Sequence, residues 1–303
     1  MNIRLETPKD YREVENLTRE AFWNVYRPGC TEHFVLHQYR TNPDFIPELD
    51  FVMEESDGEH QSPGKIIGHV MFSKAELVLD DGRRVPSWTF GPISIHPDYK
   101  RKGYGLKLLQ YALEKAREMG IGFICMEGNI EFYKHAGFDL ASKQNIHYHA
   151  EPKDAEVPYF LAQELLPNWL QNNGVTEATY CPPKGYFVAD VNPEAFEAYE
   201  AAFPKKEKKL HEGQLPQFCQ SCGMPLTKNE DCGTNADGST NFDYCQYCYK
   251  DGQFLQDCTM DEMIEHCAQF VDEVNKQMPQ PMTKEEYKQM MRGFFPMLKR
   301  WRK

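Results

Sequence analysis

Apolar positions recur along the first two-thirds of the chain with two periods in alternation, which predicts strands interleaved with helices. Ile3 to Leu5 reads as a short strand. Pro8-Lys9-Asp10 then opens a helix on which Val14, Leu17, Ala21 and Phe22 fall at helical spacing. A second short helix is expected over Glu32 to Arg40. Leu49 to Met53 and Lys65 to Lys74 read as paired strands joined by the polar loop Ser56-Asp57-Gly58, and Asp81-Gly82 marks a hairpin turn into a strand from Trp88 to His96. A glycine-punctuated loop precedes a helix over Tyr104 to Met119, whose Leu106, Leu109, Ala112, Leu113 and Ala116 form one stripe for burial. Ile121 to Met126 is wholly apolar, as expected for a strand at the centre of a sheet. A short helix near Glu131 to His135 and strands from Phe138 and over Tyr159 to Leu165 complete the pattern. The expected fold is mixed α/β, a sandwich built on a twisted sheet.

A length of 303 residues suggests about two domains. The run Lys205-Lys206-Glu207-Lys208-Lys209 reads as a solvated linker. The expected division is a first domain over 1–205 (core 1–150, extension 151–205), a linker over 206–213 and a second domain over 214–303. A net charge of −12 argues against broad binding to nucleic acid or an anionic membrane, and it favours small cationic partners such as amines. The start MNIRLETPKDYREVENL lacks the apolar centre of a signal peptide, and no run approaches the ~20 apolar residues of a membrane span. A cytoplasmic location with reduced thiols is therefore expected.

Ten cysteines then need a role, and seven lie after residue 215. Cys219-Gln220-Ser221-Cys222 and Cys245-Gln246-Tyr247-Cys248 are two C-x-x-C turns separated by 22 residues. Each turn aims two thiolates at one ion, and two turns complete the tetrahedral S₄ shell that suits Zn²⁺. With four thiolates and no open position, the zinc would be structural. Cys232 is either a further ligand or a bystander, and Cys258 and Cys267 are expected to stay off the metal.

Between these features lies Gly91-Pro92-Ile93-Ser94-Ile95-His96-Pro97-Asp98-Tyr99-Lys100-Arg101-Lys102-Gly103-Tyr104-Gly105. A strand ends, a basic loop turns, and a helix begins. Gly103 and Gly105 allow close approach of the backbone to a ligand. The helix start and the cations Lys100, Arg101 and Lys102 then suit a pyrophosphate. Glu127 ends the central strand, a place where a carboxylate could serve as a base. His96 and His69 are further candidates for a base, and each of the three also fits a structural role.

The loop resembles motif A of the GNAT acetyltransferases, which reads Q/R-x-x-G-x-G/A, with Lys100 standing where Gln or Arg is usual. Glu127-Gly128-Asn129-Ile130-Glu131-Phe132-Tyr133-Lys134-His135-Ala136-Gly137-Phe138 is similar to the family's second motif, ending in Y-x-x-x-G-F. The resemblance implies a GNAT-type mixed sheet flanked by helices, acetyl-CoA as cosubstrate, and direct acetyl transfer to a primary amine in a ternary complex. It assigns the amides of Ile93 and Ile95 to the pantetheine arm and the acetyl carbonyl. It assigns residues 101–106, including Tyr104 and Leu106, to the pyrophosphate, Tyr133 to protonation of the departing thiolate, and Asn129 to a hydrogen bond with the cofactor. The alternative is a regulatory protein that senses acyl-CoA and contacts a partner through its ribbon. Intact Gly103, Gly105 and Tyr133 favour the enzyme.

The pattern C-Q-S-C-G-M-P-L, G-T-N-A-D-G-S and Y-C-Q-Y-C-Y-K-D-G resembles a bacterial zinc-ribbon family. Residues 211–303 hold 10 Lys and Arg against 14 Asp and Glu, which argues against nucleic acid as the ribbon's partner. Two helices follow, opened by the capping boxes Thr259-Met260-Asp261-Glu262 and Thr283-Lys284-Glu285-Glu286. Met263, Ile264, Cys267, Phe270, Val271 and Val274 give the first an apolar face, and Tyr287, Met290, Met291, Phe294, Phe295 and Leu298 give one to the second. These faces serve either to pack on the chain itself or to form a homodimer or partner surface.

Overall fold

The computed structural model describes residues 1–55, 64–149, 151–186, 192–276, 278 and 280–302; the expected loop Ser56-Asp57-Gly58 lies outside them. The chain divides into two compact units. One comprises Met1–Phe22 and Cys30–Lys205, the other Trp23–Gly29 and Lys206–Lys303. Among the described residues no helix is long and apolar enough to cross a membrane.

The first unit begins with β1 (Asn2–Leu5), α1 (Tyr11–Phe22), α2 (Glu32–Tyr39), β2 (Phe45–Glu54), β3 (Ile66–Val78) and β4 (Arg84–Ile95). It continues through α3 (Tyr104–Glu118), β5 (Phe123–Glu127), α4 (Ile130–Tyr133), β6 (Asp139–Leu140) and β7 (Ile146–Tyr148). β8 (Phe160–Glu164), α5 (Trp169–Asn172), β9 (Ala178–Cys181) and α6 (Pro193–Glu200) complete it. The sheet runs β1-β2-β3-β4-β5-β8-β6, with β9 paired to the far end of β3 and β7 to β9. Among the described residues only β4–β5 and β7–β9 are parallel. The strand of residues 160–164 is thus the hydrogen-bonded neighbour of β5, antiparallel from Phe123 opposite Glu164 to Glu127 opposite Phe160.

Side chains alternate across the sheet. Ile124 and Met126 of β5 join Val70, Phe72 and Phe90 in the cluster covered by α3. Phe123 and Cys125 face the other way, with Phe160, Tyr148 and Tyr180. Next to that second cluster, α1 and α2 bury Val14, Leu17, Leu36 and Tyr39 against Val52 and Met71. The stripe expected on α3 needs one correction. Leu109, Ala112, Leu113 and Ala116 are buried, but Leu108 joins them, while Leu106 is only half-buried at the stripe's edge in the first turn.

His69 is a core residue rather than a base near a cleft. It is fully buried, and its Nε2 lies 2.7 Å from Asp50 Oδ1. Glu6 completes a group of three whose ligand atoms lie within 4.8 Å of one another. Arg40 already supplies the positive charge there, through Nε and a terminal nitrogen on the two oxygens of Glu6 (3.0 and 2.7 Å) and through a bond of 2.8 Å to Glu15. Burial pushes the Glu6 carboxyl up to about 7 and that of Asp50 up to about 6, and it pushes His69 down to about 4.

Both carboxyls therefore hold protons in the folded chain that the unfolded chain has lost above about pH 4.5, so their stabilisation falls as pH rises. His69 acts in the opposite sense up to about pH 6.5, leaving Glu6 alone to set the slope near pH 7. The melting midpoint should accordingly contain a component that declines between about pH 6 and about pH 7.5. Glu6→Gln, which is neutral throughout, should lack it in thermal scans across that range; an unchanged slope would show that the group does not titrate there.

The second unit contains β10 (Gln217–Phe218), β11 (Pro225–Leu226), β12 (Cys232–Thr234), β13 (Thr240–Cys245), β14 (Tyr249–Lys250) and β15 (Gln253–Phe254), paired as three antiparallel hairpins. Then come α7 (Met260–Cys267), α8 (Val271–Asn275) and α9 (Lys284–Phe294). Both expected capping boxes are present, at Thr259 with Glu262 and at Thr283 with Glu286. Met263, Ile264, Cys267, Met291, Phe295 and Leu298 pack in one cluster with Cys219, Leu226 and Cys245, so the helices close over the ribbon. Phe270 and Met290 depart from the expected faces and are 53% and 45% exposed. The expected first helix is interrupted at Ala268–Phe270 by a 3₁₀ turn, and the change of pitch turns Phe270 outward. Residues 206–213 contribute Leu210 to the same cluster. Trp23 Nε1 donates to the Glu207 carbonyl (2.9 Å), and Gln214 Nε2 donates to that of Asn24 (2.8 Å).

Candidate functional site

β4 and β5 are paired at a single register, Trp88 opposite Ile124. Beyond it β4 continues to Ile95 with β3 as its strand partner, and β5 continues to Glu127 with β8 as its own. The cause is local. Phe72 faces Phe90 and Val70 faces Ile93, so Gly91 and Pro92 both stand opposite Met71 in a β-bulge. Proline has no N–H for a ladder, and Gly91 has φ +148°, a region that favours glycine. The bulge also shifts the alternation, so that Phe90, Ile93 and Ile95 all lie against the α3-side core.

The edge of β4 left open is a row of backbone groups. The His96 N–H donates to Ile67 on β3 (2.8 Å), so the amides of Ile93 and Ile95, an odd number of residues away, point to the opposite edge. Among the described residues no strand of the sheet lies there beyond Trp88.

The loop after β4 makes a 3₁₀ turn over Pro97–Tyr99 and enters α3 through Gly103 at φ +82°. Lys107 N–H to the Gly103 carbonyl (3.1 Å) is the first helical bond, which leaves the amides of Tyr104, Gly105 and Leu106 at the helix start. Arg101 and Lys102 are exposed beside them, and Lys102 and Lys65 lie 5.4 and 5.6 Å from the ring centre of Tyr99. Lys100 is used differently. Its Nζ donates to the Ala21 carbonyl at the end of α1 (2.7 Å), and burial lowers its pKa. A Cβ on Gly105 would meet Ile95 and Phe132 at 3.5 Å, so the glycine keeps the space between loop and strand open.

Tyr133 ends α4 and packs on the α3-side core, its ring 5.9 Å from that of Phe90. It lies directly over Gly128, where a Cβ would stand 2.2 Å from Tyr133 Cε2. Asn129 caps α4 by accepting the Glu131 N–H at 2.9 Å, which commits its carbonyl oxygen to structure. Glu127 continues the alternation of Phe123 and Cys125, so its carboxylate belongs to the opposite face from Tyr133. There the Tyr148 hydroxyl donates to its Oε1 at 2.7 Å. His96 sits beside the loop, its Nδ1 accepting the Asp98 N–H at 3.3 Å.

In the second unit the Sγ atoms of Cys219, Cys222, Cys245 and Cys248 lie within 4.8 Å of one another, with Cys222 and Cys245 at 3.7 Å. With Zn–S bonds of about 2.3 Å a tetrahedron has sulfur–sulfur edges of about 3.8 Å, so the donor set fits Zn²⁺ in both chemistry and dimension. Cys232 stands apart from the four, directed to the Lys228 carbonyl at 3.8 Å. Cys267 approaches the Cys222 carbonyl at 3.7 Å, and Cys258 lies 3.6 Å from Arg300.

Residues 13–138 match the model described as "Acetyltransferase (GNAT) family", and residues 218–302 match "Putative zinc ribbon domain". A segment that matches the GNAT family model is thus followed by one that matches the zinc-ribbon model. It is similar to "Uncharacterized N-acetyltransferase YhbS" of Escherichia coli (strain K12), with 25% identity over 146 residues, 48% of this chain and 78% of that protein. "Uncharacterized N-acetyltransferase YjhQ" of the same strain is 23% identical over 138 residues, 43% of this chain and 71% of that protein. Among solved structures, YhbS from Escherichia coli in complex with CoA aligns with a TM-score of 0.48 at 23% identity, covering 59% of this chain and 89% of that one.

The GNAT domain brings the open edge of β4, the loop before α3, Tyr133 and Glu127 to one opening in the sheet. Sequence reasoning missed the bulge, although a proline inside an apolar strand signals one. It also missed Tyr148, Tyr180 and Tyr186, which reach the site from beyond residue 138. In the zinc ribbon, metal analysis of the purified chain should give about one zinc per molecule, and the Cys219→Ser/Cys245→Ser variant should lack it. Chelation should remove hydrogen-exchange protection from the ribbon hairpins, because so small a core depends on its metal. Full protection after zinc removal would contradict that dependence.

Proposed function

We propose that the GNAT domain is an acetyl-CoA-dependent N-acetyltransferase acting on a primary amine of a small molecule or peptide, by direct attack in a ternary complex. What carries this reading is the opening between β4 and β5, with Tyr133 on its α3 face and Glu127 on the other. Two substrates entering from opposite faces meet there without competing for space.

Acetyl-CoA, when bound, supplies an activated acetyl thioester. The amides of Ile93 and Ile95 hold the pantetheine arm and face the acetyl carbonyl oxygen, where negative charge develops. The amides at the start of α3, with Arg101 and Lys102, take the pyrophosphate. Lys100 supports this site by tying the loop to α1. On the other face Glu127 receives the proton that an amine with a pKa near 10 must lose before it attacks. Tyr133 gives its phenolic proton to the departing sulfur, and Gly128 lets its ring lie close to the strand end.

Tyr133→Phe should lower kcat for acetyl transfer by about 10²–10⁴-fold with little change in the KM for acetyl-CoA. Thiol release from acetyl-CoA across a panel of amines measures this. Undiminished turnover would remove Tyr133 from the acid role. Tight acetyl-CoA binding with no thiol release on any amine would favour the acyl-CoA-sensing alternative.

A further inference from the structure

Four tyrosines converge on the Glu127 side of the opening, and all come from residues 148–186, outside the matched GNAT segment. Tyr148 on β7 and Tyr180 on β9 stand opposite each other in register. Phe160, opposite Glu127 on β8, has its ring 5.2 Å from that of Tyr148 and 5.3 Å from that of Tyr180. The Tyr159 carbonyl accepts the Gly128 N–H at 2.8 Å, and its ring lies 6.0 Å from that of Tyr148 and is 43% exposed. The Tyr186 hydroxyl donates to the Gly91 carbonyl in the bulge at 3.1 Å. We propose that these rings wall an acceptor pocket based on Glu127, which takes an alkyl- or arylalkylammonium group bearing no carboxylate beside the nitrogen. The inference rests on the transferase reading of the opening.

Charge and ring chemistry both support this specificity. Burial raises the pKa of all four phenols, and the negative charge of Glu127 adds to it, joined by Glu151 at Tyr148 and Tyr159. An ammonium group there meets the Glu127 carboxylate and the exposed ring of Tyr159, with Tyr148 and Tyr180 buried behind them. An α-amino acid would bring its own carboxylate against Glu127, a like-charge approach that opposes binding. Lys153, in the same stretch, does not offset this, because its Nζ is engaged by Asp80 and Glu177 at 2.5 and 3.2 Å. Tyr148 is a positioning residue. It holds Oε1 of Glu127 and leaves Oε2 for the acceptor's N–H.

The test pairs each amine with its α-carboxylated counterpart, phenethylamine with phenylalanine and pentylamine with norleucine, on the full chain. Binding to the CoA-loaded protein is measured by calorimetry, and turnover by thiol release. Each amine should exceed its amino acid by at least about 100-fold in affinity and in kcat/KM, the scale of a like-charge penalty of a few kcal/mol. Tyr148→Phe should raise the KM for the amines about tenfold, the effect of losing one hydrogen bond to a charged group. It should also move the acid limb of the kcat/KM profile to higher pH, with KM for acetyl-CoA unchanged. Amino acids used as well as their amines, or an acid limb unmoved in Tyr148→Phe, would overturn the pocket and leave the transferase standing. Selective amine binding without thiol release would uphold the pocket and overturn the transferase.

Discussion

The site depends on one backbone event, the parting of β4 from β5 after Trp88 and Ile124. A parallel pair inside a sheet normally continues until one strand ends, because each unpaired amide forfeits a hydrogen bond. Here Gly91 and Pro92 force the separation, since two residues occupy the place of one and one of them has no N–H to donate. The amides of Ile93 and Ile95 are consequently left without a strand. A ligand with carbonyl groups is the partner that such an edge lacks. The same bulge sets Phe90, Ile93 and Ile95 on one face, which ties the open edge to the α3 core that supports it.

Around this opening the residues divide between holding and reacting. Lys100 braces the loop to α1, and the side-chain oxygen of Asn129 caps α4. The glycines do the complementary work, for Gly105 and Gly128 leave volume that Ile95, Phe132 and Tyr133 border. Precision at the site thus comes from fixed backbone and from rings seated on glycine.

Much of the fold was legible because its signals are local. The apolar run of β5, the stripe of α3, the capping boxes and the two C-x-x-C turns each lie within one window of sequence, and the structure contains all of them. The site was legible only on its α3 face, where loop, helix start and Tyr133 are near in sequence. The opposite face is assembled from β5, β7, β8 and β9, and no period in the sequence connects Glu127 with Tyr148 or Tyr180. His69 was left open between base and structure for the same reason. A histidine inside a strand looks the same whether its partner is a substrate or Asp50, and only the fold distinguishes them.

The opening also separates charge. On the α3 side stand Arg101, Lys102 and Lys65, an island of positive charge on a chain of net charge −12. On the other side Glu127 and Glu151 act on a wall of phenols. On the proposed reading, an anionic nucleotide and a cationic amine would be drawn to opposite sides of the opening. On that reading, sorting by charge lets the reacting atoms meet at the strand ends without either substrate blocking the other's path.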